Sequence, residues 1–263
     1  MDELKNISEQ FQIEGEVRQL YSFGSGHIND TFKIETDIKN YILQRVNATI
    51  FHDVPGLMQN IVVISEFLLN QPKDDKIQVL TPVMTKDGKH LHKDGSGEFW
   101  RVFYFIESSE SFNRVENADI AFEGGKVYGW FVRSLSDFPL NKLKVTLPRF
   151  HDIQFRLDNF LKAMETDVCY RVELVPEEIN YVFNRAEEMQ IISDLGNEGK
   201  IPLRVTHNDT KINNVLFNRE NEGICVIDLD TVMPGYSLFD FGDAVRTFAN
   251  SADEDEKDLD KIS

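Results

Sequence analysis

The chain has 263 residues, 41% of them hydrophobic, and a net charge of −17. That length supports one large domain or two packed lobes with apolar cores of their own. The acidic tail at 251–263 contributes only −4, so the body itself is acidic. Such a body excludes nucleic acid and anionic membranes as partners, because both need basic patches.

Only two cysteines occur, Cys169 and Cys225, far apart and outside any Cys-x-x-Cys pair. Together with an acidic start, Met1-Asp2-Glu3-Leu4-Lys5, this predicts a reduced, cytoplasmic protein without a secretion signal. The longest apolar run, near Ile61–Leu69, is broken by Ser65 and Glu66 and is too short to cross a bilayer.

Taken in order, residues 1–15 read as a short helix or a polar lead-in. Strands are expected at Val17–Phe23, Phe32–Thr36 and Tyr41–Val46. A helix follows, opened by Asp53 and Pro55, with Leu57, Ile61, Ile64 and Leu68 at helical spacing. Strand signal returns at Ile77–Met84 and again at Phe99–Ile106. Glu107–Phe112, rich in Ser and Glu, reads as a linker between residues 1–106 and 113–263. Beyond it, helical stripes run through Ile120, Val127, Tyr128, Phe131 and Leu135, with Gly125 and Gly129 expected to permit close packing. Others run through Ile153, Leu157, Phe160, Leu161 and Met164, and through Ile179, Val182, Phe183 and Ala186.

The stretch Val205–Asp230 carries the chemistry. Val215–Phe217 and Ile224–Ile227 flank a turn-forming loop, so they read as a β-hairpin. Asn214 and Asp228 then lie side by side at its open end. An amide oxygen beside a carboxylate suits a hard cation such as Mg²⁺. His207, Asp209 and Asn214 spell His-x-Asp-x-x-x-x-Asn, the spacing kinases use for a catalytic Asp and a metal-binding Asn. Asp240-Phe241-Gly242 imitates a kinase metal motif but follows no apolar strand, and reads as a turn and helix start.

Other segments fill supporting roles. The loop Gly24–Thr31 between the first two strands can donate backbone N–H groups to phosphates, although Asn29 replaces the last glycine of Gly-x-Gly-x-x-Gly. Arg45, or alternatively Lys33, stands where a cation reaches the phosphates, with Glu66 as a possible partner. His27 and Asp30 are the polar side chains there that can face a second ligand. His52-Asp53 and His151-Asp152 read as helix starts rather than metal pairs.

These residues resemble the aminoglycoside phosphotransferase and choline kinase-like superfamily, and within it the N-acetylhexosamine 1-kinases. The similarity rests on Gly24–Phe32, Tyr41–Arg45, His207–Phe217, Asp228–Gly235 and Phe241–Arg246. It implies an α+β, protein-kinase-like fold of two lobes, the first a five-stranded antiparallel sheet with one helix, the second mainly helical and carrying the hairpin. It implies ATP and Mg²⁺ as cofactors and phosphorylation of a sugar's anomeric hydroxyl. Asp209 and Asn214 would be catalytic. Asn214 and Asp228, helped by Asp230, would hold the metal. Gly24, Ser25, Gly26 and Arg45 would hold phosphates, backbone groups near Tyr104–Glu107 the adenine, and His27, Asp30 and Asp209 the sugar. His207 would brace the loop, aided by Asp243. A kinase for choline, homoserine or an aminoglycoside is the neighbouring alternative, and a nucleotide-binding pseudokinase the more distant one. Relatives continue into further helices, so the chain is expected to be a truncated product lacking part of the acceptor site.

Overall fold

The computed structural model describes residues 2–24, 28–72, 76–250, 252 and 256–258. By internal contacts the chain divides into two units, Met1–Thr146 with Arg204–Ser263, and Leu147–Leu203. The predicted boundary at 107–112 does not separate these units. The sheet and the hairpin both belong to the first.

That unit opens with a short helix, α1 (Asp2–Ser8), and strands β1 (Val17–Ser22), β2 (Asp30–Thr36) and β3 (Asn40–Val46). Helix α2 (Val54–Leu69) and strands β4 (His92–Lys93) and β5 (Phe99–Tyr104) follow. The five strands form one antiparallel sheet in the order β1-β2-β3-β5-β4. Because side chains alternate across a sheet, its two faces differ in chemistry. One presents Ile34, Tyr41, Leu43, Trp100 and Val102 to Ile7, Phe11 and Val83, forming a buried apolar core. On the other, Thr31, Gln44 and Arg101 stand in one cross-strand row.

The expected strand at 77–84 is not one. That segment is extended, and it bonds to β5 only through Val83 N–H to Val102 and Tyr104 N–H to Thr81, with a bridge at Pro82. Proline has no N–H to offer, so a regular ladder is interrupted. The short β4 completes the sheet in its place.

Helix α2 starts where Asp53 accepts the Gly56 N–H at 2.9 Å, and its predicted stripe, Leu57, Ile61, Ile64 and Leu68, is buried. The buried Asn60 amide donates to the Lys144 and Val232 carbonyls at 2.8 and 2.9 Å. A satisfied buried amide of this kind fixes its neighbours in register. The segment expected as a linker bonds to the hairpin: Glu110 and Phe217 exchange backbone hydrogen bonds of 3.0 and 2.8 Å.

Helix α3 (Ala118–Ser134) carries the predicted apolar stripe, with Ile120, Val127, Tyr128 and Phe131 buried. In the second unit, Asp152 and Pro176 open α4 (Ile153–Thr166) and α5 (Pro176–Asn197), which meet through Phe160 and Phe183, ring centroids 5.9 Å apart. The first unit resumes with β6 (Arg204–Thr206), β7 (Val215–Phe217), β8 (Gly223–Val226), β9 (Met233–Gly235) and α6 (Ser237–Phe248). Strand β7 pairs with β8, and β6 with β9. Among the described residues no helix is long and apolar enough to span a membrane.

Close packing of α3 falls to different glycines than those expected. A Cβ on Gly125 or Gly129 would meet nothing within 4 Å, whereas one on Gly124 would stand 2.7 Å from Ile212 Cδ1. One on Gly223 would stand 2.5 Å from Val127 Cγ2 and 2.8 Å from the Glu123 carbonyl. Gly124 lies on the buried side of α3, against Ile212 and Phe248, and Gly223 lets β8 approach α3, whereas Gly125 and Gly129 face open space. Gly223→Ala should therefore lower the thermal unfolding midpoint, by an overpacking cost of about 1–3 kcal/mol. Gly125→Ala should leave it unchanged or raise it, since alanine is the better helix former. Equal midpoints for the two variants would contradict this packing.

Candidate active site

The predicted hairpin forms with Val215 opposite Val226, and the Ile227 N–H donates to the Asn214 carbonyl at 2.9 Å. Asn214 and Asp228 thus flank the open end of one ladder. Asp228 adopts left-handed backbone angles, φ 58° and ψ 60°. A non-glycine residue pays strain energy there, and such residues concentrate at functional sites. The turn Leu229–Thr231 after it carries Asp230.

Asp209 faces Asn214. The Asn214 amide nitrogen donates to the Asp209 carbonyl at 2.9 Å and to its carboxylate Oδ2 at 3.0 Å. With both amide hydrogens spent on Asp209, the Asn214 side-chain oxygen is the atom left to face a ligand. Lys211 Nζ lies 3.3 Å from the other Asp209 oxygen, and the Asp209 side chain remains 28% exposed, enough for a reactant to reach it.

The loop around Asp209 is braced from below. His207 is fully buried. Its Nδ1 accepts the Asp209 N–H at 3.3 Å, so its Nε2, 3.0 Å from the Ile227 carbonyl, is the protonated nitrogen. Tyr128 and Phe131 wall the ring edge-on. Asp240, near the start of α6, accepts the His207 and Asn208 N–H groups at 2.8 Å each, and Asp243 accepts the Thr210 N–H at 2.7 Å. Asp240-Phe241-Gly242 therefore lies in the first turns of α6 and holds the His207–Thr210 loop. Burial raises the Asp240 carboxyl above the ordinary range, opposed by His207 and by the two N–H groups it accepts.

Asp228 sits in a crowded cleft. Its surface is open to solvent, yet protein hems its carboxyl closely enough that burial pushes it up, to about 7. The Asp230 and Asp209 carboxylates push the same way and the Arg101 guanidinium opposes them. Three carboxylates, when all are ionised, against the Arg101 guanidinium and the Lys211 ammonium leave this corner with one negative charge in excess.

Asp230 is oriented differently from the other two. Arg101, on β5, grips it with two bonds, Nη1 to Oδ1 at 2.5 Å and Nη2 to Oδ2 at 2.9 Å, and the two side chains are only 2% and 3% exposed. Asn29 Nδ2 donates to Oδ2 at 2.7 Å. Asp230 thus closes a buried ion pair, where a metal-binding role was expected. Arg101 was absent from the residues the sequence singled out. The signal was there: Phe-Trp-Arg-Val-Phe-Tyr sets one charge in an apolar strand, and a charge so buried needs a partner.

The remaining expectations divide. Arg45 and Asp30 stand opposite each other on β3 and β2 and form an ion pair. Arg45 lies on the Trp100 face of the sheet, 5.9 Å from that ring, and not in the row with Arg101. They are brought to each other and not to Asp209. Lys33 pairs with Glu35 at 3.1 Å, and Glu66 is exposed on α2. Gly24, at φ 79°, occupies backbone space that glycine takes without strain. Ser25, Gly26 and His27 lie outside the described residues. Asp53 and Asp152 cap helices, as expected. Among the described residues no cluster of three or more His, Cys, Asp or Glu is disposed to hold a metal, so a cation here would draw on an amide and phosphate oxygens as well.

Solved structures share this fold. The GDP complex of aminoglycoside 2'-phosphotransferase-IIIa superposes with a TM-score of 0.62 at 14% identity, over 94% of this chain and 79% of that one. Spectinomycin phosphotransferase with ADP and spectinomycin gives 0.61 at 14%, over 98% and 80%. An aminoglycoside phosphotransferase from Alicyclobacillus acidocaldarius gives 0.64 at 12%, over 93% and 70%. Identities this low establish fold alone. Residues 20–259 match the phosphotransferase enzyme family, APH. With that match spanning most of its length and the Asp209–Asn214 and Asp228 corner formed within it, the chain belongs to the APH phosphotransferase family.

Proposed function

We propose that this phosphotransferase is an ATP-dependent, cytoplasmic small-molecule kinase whose acceptor is the anomeric hydroxyl of an N-acetylhexosamine, the product being the sugar 1-phosphate. In this reading residues 1–106 form the nucleotide-binding lobe, 107–112 the linker and 113–263 the catalytic lobe. The observation that carries it is the Asn214 side chain. It orients the Asp209 carboxylate with its nitrogen, which leaves its oxygen to face a ligand at the hairpin end that Asp228 also flanks.

Asp209 would accept the hydroxyl proton of the acceptor, held in place by Asn214 and by Lys211. The donor set fits Mg²⁺: one amide oxygen and one carboxylate in a corner of surplus negative charge, with phosphate oxygens to complete the shell. Asn214 and Asp228 would hold the ion, and when bound it would neutralise charge on the transferring phosphoryl group. The chain's own contribution is positioning and charge rather than covalent chemistry.

The sugar rests on the Gly24–Phe32 and Asp228–Gly235 segments, which resemble N-acetylhexosamine 1-kinases. An aminoglycoside acceptor is the second reading, favoured by the spectinomycin and kanamycin bound in similar structures. ADP release measured with ATP, Mg²⁺ and a panel of N-acetylhexosamines, choline, homoserine and aminoglycosides separates them. Turnover with N-acetylglucosamine or N-acetylgalactosamine is expected. Turnover confined to another alcohol would overturn the sugar assignment, and none with any acceptor would favour a pseudokinase. Asp209→Ala should abolish turnover and leave nucleotide binding intact; surviving activity would remove Asp209 as the base.

The raised Asp228 carboxyl also fixes a pH dependence. Unfolded, an Asp loses its proton near 4, whereas Asp228 in the fold keeps it to about 7. Across that window the folded state binds the extra proton, so this residue's contribution to stability falls as pH rises. Without Mg²⁺, the unfolding midpoint of the wild type relative to Asp228→Asn should therefore drop between pH 5 and pH 8, about the span of the window. A flat difference would show that Asp228 is not crowded as described.

A further inference from the structure

Asp230 is the meeting point of a closed ring of hydrogen bonds that no phosphoryl-transfer step requires. Arg101 grips its carboxylate with both terminal nitrogens, and Arg101 Nε donates to Gln44 Oε1 at 3.0 Å. Gln44 Nε2 donates to Thr31 Oγ1 at 3.1 Å. Back at Asp230, Asn29 Nδ2 donates to Oδ2 at 2.7 Å, and Asn29 Oδ1 accepts the Asn47 N–H at 3.0 Å. The ring thus leaves the chain at Asn29 and returns to it at Thr31, the residues on either side of Asp30 at the head of β2. Its far side is the turn directly after Asp228, and Thr231 in that turn donates to the His207 carbonyl at 2.6 Å.

We propose that Asn29 and Arg101 are positioning residues that act through Asp230. Together they hold the head of β2, and with it the end of the glycine-containing segment, at a fixed distance from Asp228 and the Asp209 loop. This rests on the phosphotransfer reading above and adds residues to it that need not touch either substrate. Three features support it. The ion pair is almost wholly buried, so its geometry is held by packing as well as by charge, and Arg101 also lies over Phe103 at 5.1 Å. A bidentate guanidinium–carboxylate pair fixes orientation as well as distance. Asn29 stands where a nucleotide loop would ordinarily close with glycine, and both polar ends of its side chain are engaged, one on Asp230 and one on the Asn47 N–H.

Positioning of this kind acts on turnover more than on ground-state binding, because small misplacements of reacting groups cost rate steeply. Asn29→Ala removes one partly exposed side chain and leaves the buried ion pair whole, so it should fold. It is expected to lower kcat by about tenfold or more, with the KM for ATP and the affinity for ADP changed little. The unfolding midpoint should stay near that of the wild type. Asn29→Asp replaces the donor by a carboxylate facing Asp230, and should be at least as slow. Asp230→Asn breaks the buried pair and will also lose stability. A double-mutant cycle of Asn29→Ala with Asp230→Asn isolates the contact, and the two effects on kcat should fall short of additive.

Wild-type kcat in Asn29→Ala, additive effects in the cycle, or a loss of activity that tracks loss of folded protein would each overturn the proposal. Absence of turnover in the wild type would instead sink the phosphotransfer reading. In that case ADP binding tests the ring separately: Asn29→Asp should weaken it no more than Asn29→Ala if the residue positions rather than binds, and a selective loss with Asn29→Asp would place Asn29 in direct contact with the nucleotide.

Discussion

The first unit depends on one electrostatic constraint: a guanidinium buried in the middle of an otherwise apolar strand. Arg101 cannot remain there unpaired, because removing one partner from a buried ion pair typically costs about 3–5 kcal/mol. Asp230 is the only carboxylate bonded to it among the described residues. The fold must therefore bring residues 129 positions apart into contact. Once it does, the turn that follows Asp228 is set against the sheet, and the corner where Asn214 and Asp228 flank the hairpin inherits its place from that pair.

The His207–Thr210 loop is governed by a second, complementary arrangement. Where Asp230 answers a positive charge, Asp240 answers a row of backbone N–H groups, at His207 and Asn208. Asp243 repeats the device one helical turn later at Thr210. Carboxylates at the start of α6 are also favoured by the partial positive charge of a helix N-terminus. Strain in the backbone at Asn208 and Asp228, both left-handed, is sustained because each sits beside such an anchor. Asn208 spends its side chain on the Thr231 carbonyl at 2.8 Å, linking the two strained turns directly.

These two braces explain a division of labour among seven acidic positions. Asp53 and Asp152 cap helices. Asp240 and Asp243 hold the loop, and Asp230 neutralises Arg101. Asp209 and Asp228 keep carboxylate surface open to solvent without serving as a cap or brace, and these are the two that the proposed phosphoryl transfer would use. Burial, reinforced by the Asp230 and Asp209 carboxylates, is the reason Asp228 holds its proton so long.

Much of this was legible without coordinates, because it is local. The hairpin follows from two apolar runs and a turn, and with it the placement of Asn214 and Asp228 at its open end. Helix α2 follows from its capping Asp53, its Pro55 and four apolar residues at helical spacing. The reading of Asp240-Phe241-Gly242 as a turn and helix start was equally local, but its grip on the His207 and Asn208 N–H groups, and β9 just before it, came only with the structure. What the sequence left open was which face each strand side chain takes and what it meets there. Arg45 and Gln44 are neighbours in the chain, yet alternation sends one to Asp30 and the other to Arg101. Gly124 and Gly125 are neighbours too, and only one packs against Ile212 and Phe248. The length of β4, the interruption at Pro82 and the Arg101–Asp230 pair all depend on partners far along the chain. Local patterns fix elements because neighbouring residues share one backbone geometry; long-range pairing had to wait for the packed structure, where burial decides which charges must meet.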